Sequence, residues 1–195
     1  MIRFVILAIC LPFISTSNDG FFHRPCALDK FELTSLDYKE MPCGYVLTRP
    51  AEARHYPAVR YVNATDGELY TLVMVDPDAP YPRCPSKAYW KHWLVKDIPG
   101  GELKEGIKDL GNDFLPWTNL VKYAPPSPPG GIHRYQFFLF QQNGDVVDND
   151  PLIRAQFDLI NFATSNGLKL KAGFEYGIDS KKFEKCPGSL PKDEN

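Results

Sequence analysis

The stretch Leu69-Tyr70-Thr71-Leu72-Val73-Met74-Val75 restricts the fold of this chain more than any other. A nearly continuous apolar run of this length, rich in aromatic and β-branched residues, reads as a central strand covered on both faces. Asp76-Pro77 ends it, because proline removes a ladder donor and fixes φ, and Asp78-Ala79-Pro80 keeps the backbone extended or turning.

Further β runs follow. Tyr89 to Ile98 reads as a strand closed by Pro99-Gly100-Gly101, and strict alternation puts Trp90, His92 and Leu94 on one face, with Trp90 and Trp93 on opposite faces. Ala124-Pro125-Pro126-Ser127-Pro128-Pro129-Gly130-Gly131 forbids helix and hands the chain to Ile132 to Phe140, where His133, Tyr135 and Phe137 face one way and Arg134, Gln136 and Phe138 the other. Leu168 to Ile178 is a further strand, and short apolar runs such as Gly44 to Leu47 give short strands in an N-terminal arm.

One helix is signposted, with Asp150 as N-cap, Pro151 in the first turn, Ile153, Phe157 and Ile160 on one face and Gly167 as stop. A second short one is expected near Ser180 to Lys185, and residues 102 to 122 are expected to be a long surface loop. The chain is therefore expected to be mainly β, a sandwich or Greek-key sheet with few helices, and to form one domain after a short leader.

That leader is residues 1–17: Arg3, an apolar core from Phe4 to Ile14, then Ser15-Thr16-Ser17, the pattern of a secretory signal cut near Ser17. It falls short of the roughly 20 apolar residues that a spanning helix needs. Cleavage would discard Cys10 and leave Cys26, Cys43, Cys84 and Cys186, an even set for an oxidising compartment. Four cysteines permit three connectivities; the expectation leans to the short loop Cys26 to Cys43, leaving Cys84 to Cys186 as the long closure. Asn63-Ala64-Thr65 is a glycosylation acceptor consistent with secretion. A formal charge of −2 gives no basic footprint for nucleic acid or an anionic membrane surface. Lys181, Lys182 and Lys185 read as a solvated face and the acidic end as a frayed tail.

The polar residues at the strand ends point to a small preformed pocket. A histidine beside a carboxylate has its imidazolium favoured, a good partner for a phosphate or carboxylate anion, and Tyr135 adds a hydroxyl on the face of His133. Ser127, His133 and Asp76 do not make a hydrolase, because Ser127 lies between prolines rather than in a Gly-x-Ser-x-Gly turn. The spacings of zinc sites are absent, so no metal and no cofactor is expected.

Three segments, Asp76-Pro77-Asp78-Ala79-Pro80, His92-Trp93-Leu94-Val95 and Gly131-Ile132-His133-Arg134-Tyr135, together resemble the phosphatidylethanolamine-binding protein family, which includes the Raf kinase inhibitor proteins. The resemblance runs from about residue 40 to residue 180. It implies a large antiparallel sheet packed on a smaller one with peripheral helices, and a ligand pocket of Asp76, Asp78, His92, His133 and Tyr135, with Pro128 and Gly131 near its rim. The chain departs from many cytosolic members in its proline-rich loop before His133, and in its signal and cysteines, which are those of a secreted member. The expected role is a secreted, monomeric binder of a small anionic or zwitterionic phospho-ligand, such as phosphoethanolamine or a phospholipid head group. In that scheme the histidines and Tyr135 meet the phosphate and Asp76 or Asp78 meets an amine. The alternative is a secreted carboxypeptidase or serine protease inhibitor, or another regulator acting on a secreted protein partner.

Overall fold

The computed structural model describes residues 22–34, 41–48 and 50–187. The expected signal segment and the acidic end, residues 192–195, lie outside them. Among the described residues nine strands occur: β1 (Asp29–Lys30), β2 (Glu32–Thr34), β3 (Tyr45–Leu47), β4 (Ala58–Arg60), β5 (Leu69–Asp76), β6 (Trp90–Pro99), β7 (Thr118–Val121), β8 (Ile132–Gln141) and β9 (Lys169–Asp179). Two short helices, α1 (Gly100–Glu105) and α2 (Leu159–Ser165), complete them.

The large sheet has seven strands in the order β1-β9-β8-β5-β6-β7, with β3 also on β9, and β2 pairs with β4 in a separate two-stranded sheet. Its centre is antiparallel, as the family resemblance implies. The short strands β1 and β3 instead add parallel to β9. Within β5 the residue alternation feeds two cores. Tyr70, Leu72 and Met74 pack with Tyr135, Phe137 and Trp93 and with Phe31, Leu33 and Val59 of the small sheet side. Val73 and Val75 pack on the other face with Leu94, Phe138, Phe140 and, from α2, Leu159 and Phe162. The run from Tyr70 to Val75 is almost wholly buried because both faces are covered.

Three sequence expectations are corrected. The helix begins at Leu159, not after Asp150, and its cap is Asp158, whose carboxylate accepts from the Asn161 N–H at 2.9 Å. Residues 151–157 are drawn instead into backbone bonds with the start of β6: Lys91 N–H to Arg154 O at 2.7 Å and Phe157 N–H to Tyr89 O at 2.9 Å. Those bonds compete with the helical ladder that Pro151 would otherwise open. Residues 102 to 122 are not a surface loop: they hold part of α1 and all of β7, and they bury Leu103, Ile107, Leu110 and Trp117. Ser180 to Lys185 form no helix, with bends at Lys181 and Lys182 and with Lys182 O accepting from the Gly131 N–H.

Two disulfides join Cys26 to Cys43 and Cys84 to Cys186, with Cα atoms 5.7 and 5.9 Å apart. The second ties the C-terminal segment to the loop after β5. Asn63 is exposed, its amide donating to Asp29 at 2.8 Å. Among the described residues no helix is long and apolar enough to cross a membrane.

Candidate functional site

At the ends of β5, β6 and β8 the sheet opens into a cleft of about 410 Å³. Asp76, His92, His133 and Tyr135 line it, and Pro128 stands on its rim. Asp78 and Gly131, the other two residues placed there by sequence, are not among the lining residues.

The position of His92 follows from a break in the register of β6. Met74 pairs with Trp93 and Val75 with Lys91, so His92 is an extra residue opposite no partner on β5. Such a bulge re-aims side chains. His92 and Trp93 therefore both turn toward the core that holds Tyr135, while Lys91 and Leu94 point to the other face. The expected shared face of His92 and Leu94, and the opposition of Trp90 and Trp93, fail for this reason. Strict alternation does hold along β8, where His133, Tyr135 and Phe137 remain together.

Each histidine has one ring nitrogen fixed by a neighbour. His92 Nδ1 lies 2.7 Å from the carbonyl of Ala124, which can only accept, so Nδ1 carries the proton and Nε2 is the free acceptor. Burial pushes the His92 pKa below its ordinary value, over the opposing pull of the Ala124 carbonyl and Asp76. His133 Nδ1 donates to Asp76 Oδ2 at 2.7 Å, and both side chains are almost fully buried, at 1% and 4% exposure. For His133 burial again opposes charge and is the largest influence, yet the bond to Asp76, the charges of Asp76 and Asp78 and the nearby Gly130 carbonyl, which forms no hydrogen bond of good geometry with Nε2, together raise its pKa. The outcome is one neutral and one cation-favouring imidazole in the same cleft. His133 Nε2 is buried and has no hydrogen-bond partner among the described residues. Leaving such a group unmet costs about 1–3 kcal/mol.

Both aspartates are occupied. Asp76 Oδ1 accepts from the Asp78 N–H at 2.7 Å, while Oδ2 holds His133. Asp78 grips Arg134 through both carboxylate oxygens, at 2.8 and 2.9 Å, and also accepts its backbone N–H. This bidentate clamp fastens the β5 turn to the start of β8 and aligns Asp76 with His133. Gly131 has φ +81°, a left-handed conformation that suits glycine, and a Cβ there would meet the Glu184 side chain at 3.0 Å. Gly131 therefore shapes the turn into β8 and seats the C-terminal segment.

Tyr135 stacks beside His133 and meets His92 edge-on, at ring separations of 6.5 and 5.2 Å. Burial raises its pKa far above the ordinary range, so it stays a phenol. Ser127 lines the cleft too, but makes no hydrogen bond to His133 Nε2.

Sequence reasoning passed over Lys87, Trp90 and Arg154 in the lining. Arg154 donates to the carbonyls of Lys91, His92 and Lys122 at 2.9 to 3.0 Å, so it also pins the bulge that turns His92 inward. The false helix over residues 150–160 hid it; a charged residue beside a strand bulge carries no local sequence signal. Trp90 does have one, since it shares a strand face with His92.

The molecule is thus a mainly β protein whose large sheet carries a polar cleft at one end. Residues 35–178 match the family described as "Phosphatidylethanolamine-binding protein". The chain is 38% identical over 127 residues to "Protein MOTHER of FT and TFL1 homolog 2" of Oryza sativa subsp. japonica, covering 64% of this chain and 67% of that protein. It is also 38% identical over 139 residues to "Protein TWIN SISTER of FT" of Arabidopsis thaliana, covering 71% and 73%. Among solved structures, a phosphatidylethanolamine-binding protein from Plasmodium vivax superposes with TM-score 0.65 at 22% identity, covering 77% of this chain and 84% of the other. A carboxypeptidase Y inhibitor, solved with its cognate proteinase, gives 0.59 at 22% identity, covering 77% and 82%. The chain belongs to the phosphatidylethanolamine-binding protein family.

Proposed function

We propose that this protein is a secreted, single-domain, non-enzymatic binder of a small phospho-ligand, seated in the cleft with its phosphate against His133 Nε2. The observation that carries the reading is that buried nitrogen: Asp76 fixes the proton on Nδ1 and favours the imidazolium, which leaves the Nε2 N–H of a cleft-lining residue with no hydrogen bond of good geometry among the described residues. A phosphate oxygen meets that donor, and Tyr135 and Arg154 lie in the same wall. Secretion is supported by the signal-like residues 1–17 and by the two disulfides.

Calorimetric titration with phosphoethanolamine tests the site. The wild-type chain is expected to bind, and His133→Ala to lose at least about tenfold in affinity, the scale of a charge-assisted hydrogen bond. Equal binding by a folded His133→Ala variant would sink the reading. The inhibitor role has only the likeness of fold to the carboxypeptidase Y inhibitor behind it.

A further inference from the structure

The geometry points to a ligand whose phosphate is a monoester carrying two negative charges, with any attached amine unrecognised, and to Arg154 and Lys87 as the residues that set this preference. The inference rests on the phospho-ligand reading and narrows it.

The charge inventory of the cleft carries the argument. Among its described lining residues the one carboxylate is Asp76, and its charge is matched by His133 at 2.7 Å. Two cations remain. Arg154 has its guanidinium held by three backbone carbonyls, which take three of its five N–H donors without cancelling its charge, and it makes no ion pair with a described residue. Lys87 likewise has no ion pair among the described residues; its Nζ stands 5.8 Å from the centre of the Trp90 ring. The empty donor of His133 and these two charges suit a doubly charged group. A phosphate monoester, with a second ionisation near pH 6, carries close to two charges at pH 7.5, whereas a phosphodiester carries one.

An ammonium finds no comparable partner. Both oxygens of Asp76 already accept hydrogen bonds, and both oxygens of Asp78 hold Arg134 outside the lining. The Trp90 ring, the aromatic surface best suited to a cation, already has Lys87 beside it. His92 Nε2 is a free acceptor, but it lies in the field of Arg154, which repels a cation there. The assignment of an amine to Asp76 or Asp78, drawn from sequence, therefore meets only carboxylates whose charge already serves His133 and Arg134.

Isothermal titration of the wild-type chain at pH 7.5 separates the alternatives. The ligands are phosphoethanolamine, ethyl phosphate, which lacks the amine, and glycerophosphoethanolamine, which keeps the amine on a diester. Ethyl phosphate is expected to bind within about tenfold of phosphoethanolamine, and glycerophosphoethanolamine more than about tenfold more weakly than either. Lys87→Ala, a change at an exposed side chain, is expected to weaken ethyl phosphate several-fold, and Arg154→Gln to weaken it more, with diester binding less affected. Dioctanoyl phosphatidic acid presents the same monoester on a lipid; its affinity relative to ethyl phosphate distinguishes a lipid source from a soluble one. The inference is overturned if the diester matches the monoesters, if removing the amine costs more than about tenfold, or if neither cation variant weakens ethyl phosphate. If the wild-type chain takes none of these ligands, the phospho-ligand reading itself falls.

Discussion

Lys91 and His92 are neighbours on β6, yet their side chains leave on opposite faces of the sheet into two regions that treat charge differently. On the face covered by α2, the Lys91 ammonium is fully buried and fully answered: it pairs with Asp148, donates to the Asp150 carbonyl at 3.1 Å and lies 4.7 Å from the centre of the Phe157 ring. On the cleft face, His133 keeps a nitrogen with no hydrogen-bond partner among the described residues, and Arg154 and Lys87 have no described counter-ion. A buried charge that is paired and hydrogen-bonded holds the structure together, because removing its partner leaves a desolvated ion. A polar group left unmet beside an opening has a cost that a ligand relieves.

The largest effect expected from breaking this contrast is on the covered face. Lys91→Ala strands the Asp148 carboxylate and is expected to lower unfolding free energy by about 3–5 kcal/mol in denaturant titration, with much of the loss recovered in Lys91→Met/Asp148→Leu. A small loss in the single variant would erase the distinction between the two faces. A smaller effect is expected from pH on the cleft. As pH rises through the His133 pKa, which lies above 6.5, the Nε2 proton leaves and phospho-ligand affinity is expected to fall about tenfold by calorimetry. Below about pH 6 the phosphate takes up its own proton, so affinity declines on that side as well. The same linkage acts on stability in opposite senses. The His133 contribution is fully present below 6.5 and lost as pH rises through its raised folded value, while His92, with its pKa depressed, lowers stability as pH falls below 6.5. A pH-independent affinity between 6 and 9 would count against His133 as the donor. The smallest change is expected for Asp158→Ala, which removes the cap of α2 on the covered face. It should cost about 1 kcal/mol by thermal unfolding and leave ligand affinity unchanged. Altered affinity there would show that the two faces are coupled.

Much of the architecture was legible locally. The apolar run of β5 and the alternation of β8 place those strands and assign both faces of β8, because a period of two is written directly into the residue order. Asp76, His92, His133 and Tyr135 were likewise found at the strand ends they occupy in the cleft. Asp78 and Gly131 belong to the same conspicuous segments but serve the frame, one clamping Arg134 and the other seating the Glu184 side chain. Motif membership does not distinguish a residue that faces a cleft from one that holds it open. Arg154, Lys87 and the buried residues Leu103, Ile107, Leu110 and Trp117 were missed, since their positions depend on contacts with strands distant in sequence.

Residue order alone determined the strand-forming segments, the mainly β class, the family likeness and four of the groups at the cleft, for these depend on short-range periodicity and on motifs within a few residues. Tertiary structure decided the bulge that turns His92 inward, the spending of both aspartates on neighbours, and the two cations left without a counter-charge. Those outcomes depend on which hydrogen bonds and charges compete at one point in space, where electrostatic balance is set by everything that packs there and not by sequence neighbours.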